Sequence, residues 1–527
     1  MKPRIIFLSD VTLRKPPGSS RYIGPYILAS QLEELGYDCI VIDYFTNHTN
    51  FFEYLEKFLT PETIFVGIST TMLSQPMKPF VKDFNKLLRT EATELYFGGY
   101  LWFNAPDQLN AWLYNLRTLI DKVNKNCKIV LGGSKIGFLW KIQDNVEEIK
   151  KAYEYVDYAI LGLADSSIID FSNKLVKNEI INHRQKNGIK FIFNVDENKS
   201  CPRMVWNKKH AIRHNEGLPI EVSRGCVFNC KFCYFDKKES IRKPNNMLRD
   251  EFLYNYENFG TTIYNFSDDC FNDNRKKVSE ICETIINLPF KIEWVSYARV
   301  DLAVKFPETF DLMIESGCRG VSWGLESFNY ESAKMAGKGV PTEKVKERLL
   351  EIYSKYKNDC IFQGTFIAGL PKETPSSLRN TVDWLLNNRI LDFISFGVLV
   401  VTDFDPELDQ NFIDYSDYVR NPQKYGFKKL TINPYYWEHD TMNRPEAIEL
   451  AKESMDKLKK NGYDTYMTSI WAFSQIRNCG YTWNEILDMA RNSNNKKYWW
   501  NKLKHDEEKL MKNYWEELDA IHNNRIS

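Results

Sequence analysis

The stretch Glu221-Val222-Ser223-Arg224-Gly225-Cys226-Val227-Phe228-Asn229-Cys230-Lys231-Phe232-Cys233 decides how this chain is read. An apolar, strand-like run ends just before its first cysteine, so the three thiols lie on a loop that follows a strand. Three residues separate the first pair and two separate the second. Thiolates are soft ligands, suited to zinc or to an iron-sulfur cluster. A structural zinc site closes with four ligands, usually as two paired knuckles, and no second pair lies within easy reach in the sequence. Three ligands leave one position open, and an open position on iron implies chemistry because a small molecule can occupy it. The alternatives are a zinc site completed by a distant Cys or His, and three buried structural cysteines.

Working outward, six strand-like runs succeed one another from Pro219: Ile220 to Ser223, Thr262 to Phe266, Ile292 to Tyr297, Gly320 to Leu325, Phe362 to Ile367 and Phe393 to Val401. Each gap is long enough for a helix, which predicts a parallel barrel or part of one, with function at the C-terminal ends of the strands. Upstream, Ile5 to Leu8, Cys39 to Ile42, Phe65 to Ile68, Lys128 to Leu131 and Tyr158 to Leu161 alternate with helix-length segments. That pattern predicts an α/β, doubly wound parallel sheet. Expected domains are therefore a Rossmann-like unit over 1–170, a polar linker with a hairpin over 171–218, the barrel over 219–405 and a mainly helical region over 406–527. In the last region Ile448, Ala451, Met455 and Leu458 have the spacing of one helix face. Clusters such as Tyr435-Tyr436-Trp437 and Tyr498-Trp499-Trp500 read as packing residues. The aromatic, glycine-rich stretch Leu95 to Phe103 interrupts the alternation and is left unassigned.

The cysteine spacing, Phe232 before the last cysteine and the six strand-helix units resemble the radical S-adenosylmethionine (SAM) superfamily. The resemblance implies that Cys226, Cys230 and Cys233 hold one [4Fe-4S] cluster whose fourth iron chelates SAM. Reductive cleavage of SAM then gives a 5'-deoxyadenosyl radical that abstracts hydrogen from substrate, the cofactors carrying the chemistry and the protein orienting and shielding them. Further matches imply cofactor-binding roles. Asp268, in Phe266-Ser267-Asp268-Asp269-Cys270-Phe271, would approach the methionine amine. Arg299, ending the third strand, would meet a carboxylate. Glu326, in Trp323-Gly324-Leu325-Glu326-Ser327, would lie near the ribose or methionine end, and Gly369, in the fifth-strand segment Gly364 to Pro371, beside the adenine. The structural alternatives are a helix cap for Asp268 or Asp269, a surface ion pair for Arg299 and a solvated loop acid for Glu326.

The two-domain order is similar to the superfamily's subclass with an N-terminal cobalamin-binding-like domain. Gly132-Gly133 after the fourth strand fits that domain, where missing side chains let backbone approach a corrinoid, and Thr71-Met72-Leu73 is a weaker match. The chain departs from the subclass in one respect: the loop Ser9 to Gly24 has no histidine and so lacks the Asp-x-His-x-x-Gly signature for a lower cobalt ligand. The early His48 reads as a surface residue. Only Cys39 and Cys127 precede residue 200, and only Cys479 follows Cys360, so one cluster is expected.

Methylation of an unactivated carbon is the favoured reaction. A cobalamin-independent radical rearrangement or cyclisation, and a non-catalytic iron-sulfur or zinc binding protein, stay open beside it. The expected partners are a small-molecule or peptide substrate and an electron donor such as a flavodoxin or ferredoxin. The 70 basic and 70 acidic residues balance, which argues against a nucleic-acid surface. The longest apolar stretch, about Phe393 to Val401, is far short of the ~20 residues that span a bilayer. Eleven cysteines in 527 residues are too sparse for a disulfide scaffold, and a cytoplasmic protein is expected.

Overall fold

The structure is a computed structural model that describes residues 2–10, 21–45, 48, 50–71, 106–133, 136–141, 144–193, 200–233, 240–401, 416–431 and 436–523. Met72 and Leu73, most of the loop between Ser9 and Gly24, the stretch Leu95 to Phe103 and Tyr435 lie outside them. The chain forms two compact units. The first runs to Ile212 and takes in the chain from Met511 onward, and the second holds most of what lies between.

In the first unit, short apolar runs become strands because both faces of a parallel sheet are covered. These are β1 (Arg4–Leu8), β2 (Asp38–Ile42), β3 (Thr63–Ser69), β4 (Lys128–Gly132) and β5 (Tyr158–Leu161). The next two, β6 (Arg184–Lys186) and β7 (Ile189–Phe193), form a hairpin turned at Asn187-Gly188, both with positive φ, as a two-residue hairpin loop requires. The sheet order is β2-β1-β3-β4-β5-β7-β6, parallel except for β6. The hairpin expected within the 171–218 linker is thus part of the first sheet.

The second unit is built on six parallel strands: β8 (Leu218–Ile220), β9 (Ile263–Phe266), β10 (Glu293–Ala298), β11 (Cys318–Glu326), β12 (Ile361–Ala368) and β13 (Phe393–Val398). They lie in sequence order across the sheet, with helices including Asn245–Phe259, Arg275–Ile286, Pro307–Glu315, Thr342–Tyr356 and Pro375–Asn388 in the connections. That is a partial (βα)6 barrel. Beyond it come a small antiparallel sheet of β14 (Phe427–Thr431), β15 (Tyr436–His439) and β16 (Met442–Asn443), then helices. The helix Arg444–Leu458 buries Ala447, Leu450, Ala451, Ser454 and Leu458, so Ile448 and Met455 border the apolar stripe. Trp437 and Trp499 are buried packing residues whose indole N–H groups donate to Leu399 O and Asp488 Oδ2. Tyr498 and Trp500 are exposed.

The C-terminal segment from Ser469 to Asn478 packs on the sheet itself. Ile470, Phe473 and Ile476 join Ile263, Val295, Ile361 and Phe393 in one core. Gln363 Oε1 accepts from Ser469 Oγ and Ile470 N, each at 3.1 Å, and Asn265 Nδ2 donates to Ser474 Oγ at 2.9 Å. No helix among the described residues is long and apolar enough to cross a membrane.

Gly317 precedes β11 at φ +98°, and a Cβ there would run into the backbone carbonyl of Ile292. Strained φ and a clash with backbone act together, so Gly317→Ala should cost more than ~1 kcal/mol of stability. An unchanged midpoint in denaturant unfolding would contradict this account of the turn.

Candidate functional site

The cysteine loop leaves β8 through a two-residue ladder in which Ser223 and Arg224 pair with Arg242 and Ile241. Cys226, Cys230, Phe232 and Cys233 are half-buried, and none of the chain's eleven cysteines is in a disulfide. The Cys233 N–H donates to Cys230 O at 3.1 Å, tightening the turn between them. The loop docks on the turn at Gly337, φ +87°, where a Cβ would come within 3.3 Å of Asn229 O and 3.4 Å of Cys230 Cα. Lys231 completes the seating: its N–H donates to Ala336 O and its carbonyl accepts from Tyr418 N.

Arg299 ends β10 and is buried. Asn272 clamps its backbone in both directions, accepting from Arg299 N at 2.7 Å and donating to Arg299 O at 2.8 Å. Asp301 takes two hydrogen bonds from the guanidinium, at 3.0 and 2.6 Å, while Arg299 Nη1 donates to Cys230 Sγ at 3.0 Å. The guanidinium carbon also sits 3.9 Å from the Phe228 ring centroid. Burial disfavours the cation, but the bonds to Asp301 outweigh it and hold the Arg299 pKa above its ordinary value.

Glu326, at the end of β11, is buried at φ +64°. A non-glycine residue there stores ~1–3 kcal/mol of strain, a cost seen mostly at functional sites. The strand bulges between Gly324 and Glu326, and Lys338 Nζ reaches Glu326 Oε1 at 3.2 Å and Gly324 O at 3.0 Å. Glu326 is therefore a buried ion-paired acid rather than a solvated one.

The neighbouring aspartates divide. Asp268 is buried, accepts from Ser223 Oγ at 2.6 Å and Cys270 N at 2.8 Å, and pairs with Lys277 Nζ at 2.9 Å. Lys277 also pairs with Asp273 at 3.2 Å. Asp269 is exposed and accepts from Gly225 N at 3.1 Å, beside Cys226. Of the two, Asp269 is the exposed carboxylate and Asp268 the buried one. Gly369, φ +88°, is covered by the Trp437 indole, and its carbonyl meets His439 Nε2 at 2.9 Å. The absent side chain there makes room for tryptophan.

Lys277, Asp273, Lys338, Tyr418 and Cys270 carry no sequence motif. Only the i,i+4 spacing of Asp273 and Lys277 was a signal. Cys270 is buried against Cys226, and that hydrogen bond, with burial second, pushes its thiol pKa well up. Glu373 is buried as well, its pKa raised to about 8 by burial against the opposing bonds from Ser327 and Gly369.

Three soft donors on one half-buried loop, with Arg299 on one of them and Lys338 within electrostatic range, fit an iron-sulfur cluster in donor type and placement. Among the described residues no three His, Cys, Asp or Glu side chains already converge as a metal cage, since Cys226 turns to Cys270 and Cys230 to Arg299.

In the first unit, no described residue comes within 4 Å of where a Gly132 side chain would begin, whereas a Cβ at Gly133 would lie 2.5 Å from Thr71 Oγ1. His48, expected at the surface, is half-buried between Tyr54 and Trp515.

Residues 220–385 match the radical SAM superfamily. This segment is a radical SAM domain. The chain is 27% identical over 243 residues to bacteriochlorophyllide d C-12(1)-methyltransferase of Chlorobaculum tepidum, covering 43% of this chain and 52% of that one. It is 24% identical over 306 residues to an uncharacterized methyltransferase of Pyrococcus horikoshii, covering 54% and 63%. The chain thus spans about half to two thirds of the length of these relatives. Among solved structures it is similar to the radical SAM methyltransferase TsrM of Kitasatospora setae with cobalamin and [4Fe-4S] cluster bound, at TM-score 0.50 and 15% identity over 76% of this chain and 72% of that one. It is also similar to the cobalamin-dependent radical SAM enzyme OxsB, at TM-score 0.50 and 17% identity over 81% and 56%. At these identities the likeness is one of fold, and it covers the Rossmann-like sheet as well as the partial barrel.

The raised pKa of Glu373 has a stability consequence with a definite sign. Between its unfolded value near 4.5 and about 8 the folded state alone keeps the proton, so this group makes stability fall as pH rises through that window. Glu373→Gln removes the titration, and its stability should fall less than wild type between pH 5 and pH 8. Parallel slopes in urea unfolding at the two pH values would show that Glu373 is ionised in the fold.

Proposed function

We propose that this chain is a radical SAM methyltransferase that methylates an unactivated carbon of a small molecule or peptide. The observation that carries it is the three-cysteine loop after the first strand of a radical SAM domain, with the Arg299 guanidinium on Cys230. Relatives named as methyltransferases, and a Rossmann-like sheet before the barrel, favour methyl transfer over rearrangement.

Cys226, Cys230 and Cys233 would hold a [4Fe-4S] cluster with SAM at its open iron, and the first unit would hold cobalamin. When bound, these groups supply the electron that cleaves SAM and the carrier for its methyl group. The rest is the work of the chain's own side chains. Arg299 places a fixed cation against the anionic cluster loop and meets a carboxylate, and Phe232 shields the last cysteine. Glu326, held by Lys338, offers an acceptor toward the nucleoside. Asp268 acts from behind, fixing Ser223 and the start of the loop, while Asp269 faces the ligand side. Gly369 shapes the adenine end by seating Trp437. An external donor such as a flavodoxin or ferredoxin, in the cytoplasm, would reduce the cluster.

The test is anaerobic reconstitution with and without added cobalamin, followed by assay of 5'-deoxyadenosine. Wild type should form it and Cys230→Ala should not. Corrinoid absorption retained after desalting would support methyl transfer. A fully loaded cluster with no cleavage, in the presence of reductant and candidate substrates, would leave an iron-sulfur binding protein.

A further inference from the structure

Lys231 stands between Cys230 and Cys233. Its backbone is held on both sides, by Ala336 O and by Tyr418 N. Its side chain reaches toward the same neighbour, with Nζ 3.6 Å from Asp417 Oδ2. One residue of the cysteine loop is thus joined to Asp417-Tyr418 by main chain and side chain together. Both partners lie beyond the segment 220–385 that matches the radical SAM superfamily.

Asp417 is built to stay in place and to stay charged. It opens the short helix Asp417–Arg420. Asn421 Nδ2 donates to its Oδ1 at 2.7 Å, the Tyr425 hydroxyl donates to Oδ2, and Lys424 Nζ lies 3.6 Å from Oδ2. Burial by itself would raise its pKa, but the bonds from Tyr425 and Asn421 outweigh that and hold the carboxyl below its ordinary value. The next residue, Tyr418, is fully buried, with its ring 4.7 Å from that of Tyr425 and 5.7 Å from that of Phe427. The segment is therefore anchored independently of the cysteine loop.

The bonds from Asn421, Tyr425 and Lys424 serve the turn that Asp417 begins, whatever else the turn does. Lys231 is different. Its side chain is 28% exposed and could leave its ammonium in water, yet it lies against a carboxylate that other donors already satisfy. Asp417 does not need Lys231; the loop gains the anchor. A positive and a negative charge are thereby fixed beside the thiols, and the reduction potential of an iron-sulfur cluster follows the charge around it.

We propose that Lys231 and Asp417 are positioning residues for the cluster that Cys226, Cys230 and Cys233 would hold: the pair pins the loop from outside the radical SAM segment, and its two charges set the potential at which the cluster accepts an electron. The second half of this inference rests on the radical SAM reading above. The signs follow from electrostatics. Reduction adds a negative charge, so the Lys231 ammonium favours it and the Asp417 carboxylate opposes it. Each partner offsets the other.

The experiment uses the full chain in two states. In the anaerobically reconstituted chain, iron and sulfide are counted and the reduction potential is read by an EPR-monitored titration. Lys231→Met should lower the potential and Asp417→Asn should raise it, each by about three- to tenfold in the one-electron equilibrium, or ~28–59 mV. The double variant should return close to wild type, and Lys231→Arg should keep the wild-type potential. A loop merely loosened by either change would shift both single variants the same way, so opposite signs mark the charges themselves. In the cluster-free chain, hydrogen exchange of the peptide carrying the Tyr418 amide should quicken about two- to fivefold in Lys231→Met, the range of one partly exposed ion pair, and stay at the wild-type rate in Lys231→Arg. Should Asp417→Asn fail to fold, Lys231→Met and its rescue by Lys231→Arg decide. Shifts of the same sign, unshifted potentials, or unchanged exchange in Lys231→Met overturn the proposal. A wild-type chain that takes up no four-iron cluster sinks the radical reading, while the exchange arm still tests the clamp; a loaded cluster indifferent to both substitutions sinks this inference alone.

Discussion

The contact between the Arg299 guanidinium and Cys230 Sγ is the point on which the site turns. A loop that carries Val227 and Asn229 in solvent has little apolar burial of its own to fix it. Its position is set by the Lys231 backbone bonds to Ala336 and Tyr418 and by a firmly held cation, since Asn272 grips the Arg299 backbone on both sides and Asp301 grips the guanidinium. A buried arginine is tolerated only when paired and hydrogen-bonded. Those bonds tie the end of β10 to the cysteine loop through one side chain.

Around that tie the site is organised by buried charge pairs and by missing side chains. Lys277 pairs with both Asp268 and Asp273, and Lys338 pairs with Glu326. Each pair holds a strand end in one arrangement, because breaking it would leave a charge buried alone. The glycines complement them. Gly324 lets Glu326 and Lys338 meet, Gly337 lets the cysteine loop settle on its turn, and Gly369 admits the Trp437 indole.

Much of this was legible in the sequence, for physical reasons that differ by element. The parallel strands announce themselves because burial on both faces demands continuous apolar runs, so Ile5 to Leu8 or Phe393 to Val398 can hardly be anything else. The cysteine loop, Arg299 and Glu326 were legible because each follows such a run. Which of Asp268 and Asp269 is exposed was not, since adjacent residues point to opposite sides and a one-residue offset exchanges buried for exposed. The hairpin's place in the first sheet was masked by the exposed Arg184-Gln185-Lys186 edge, although Asn187-Gly188 signals the turn. The small sheet around Trp437 is too short for its alternation to stand out. The packing of Ser469–Asn478 on the barrel left no local trace, because it depends on partners scattered over five distant strands.

That last packing has a consequence in time. Ser469 emerges during synthesis more than two hundred residues after Cys233, which at ~5–20 residues per second is a delay on the order of ten seconds or longer. Until then the inner face of the sheet, with Val295, Ile361 and Phe393, has no cover. The nascent barrel is therefore an open, sticky trough whose thiols are already out of the ribosome. A cell making this protein must protect that trough from aggregation and those thiols from oxidation before the last segment arrives to close the floor.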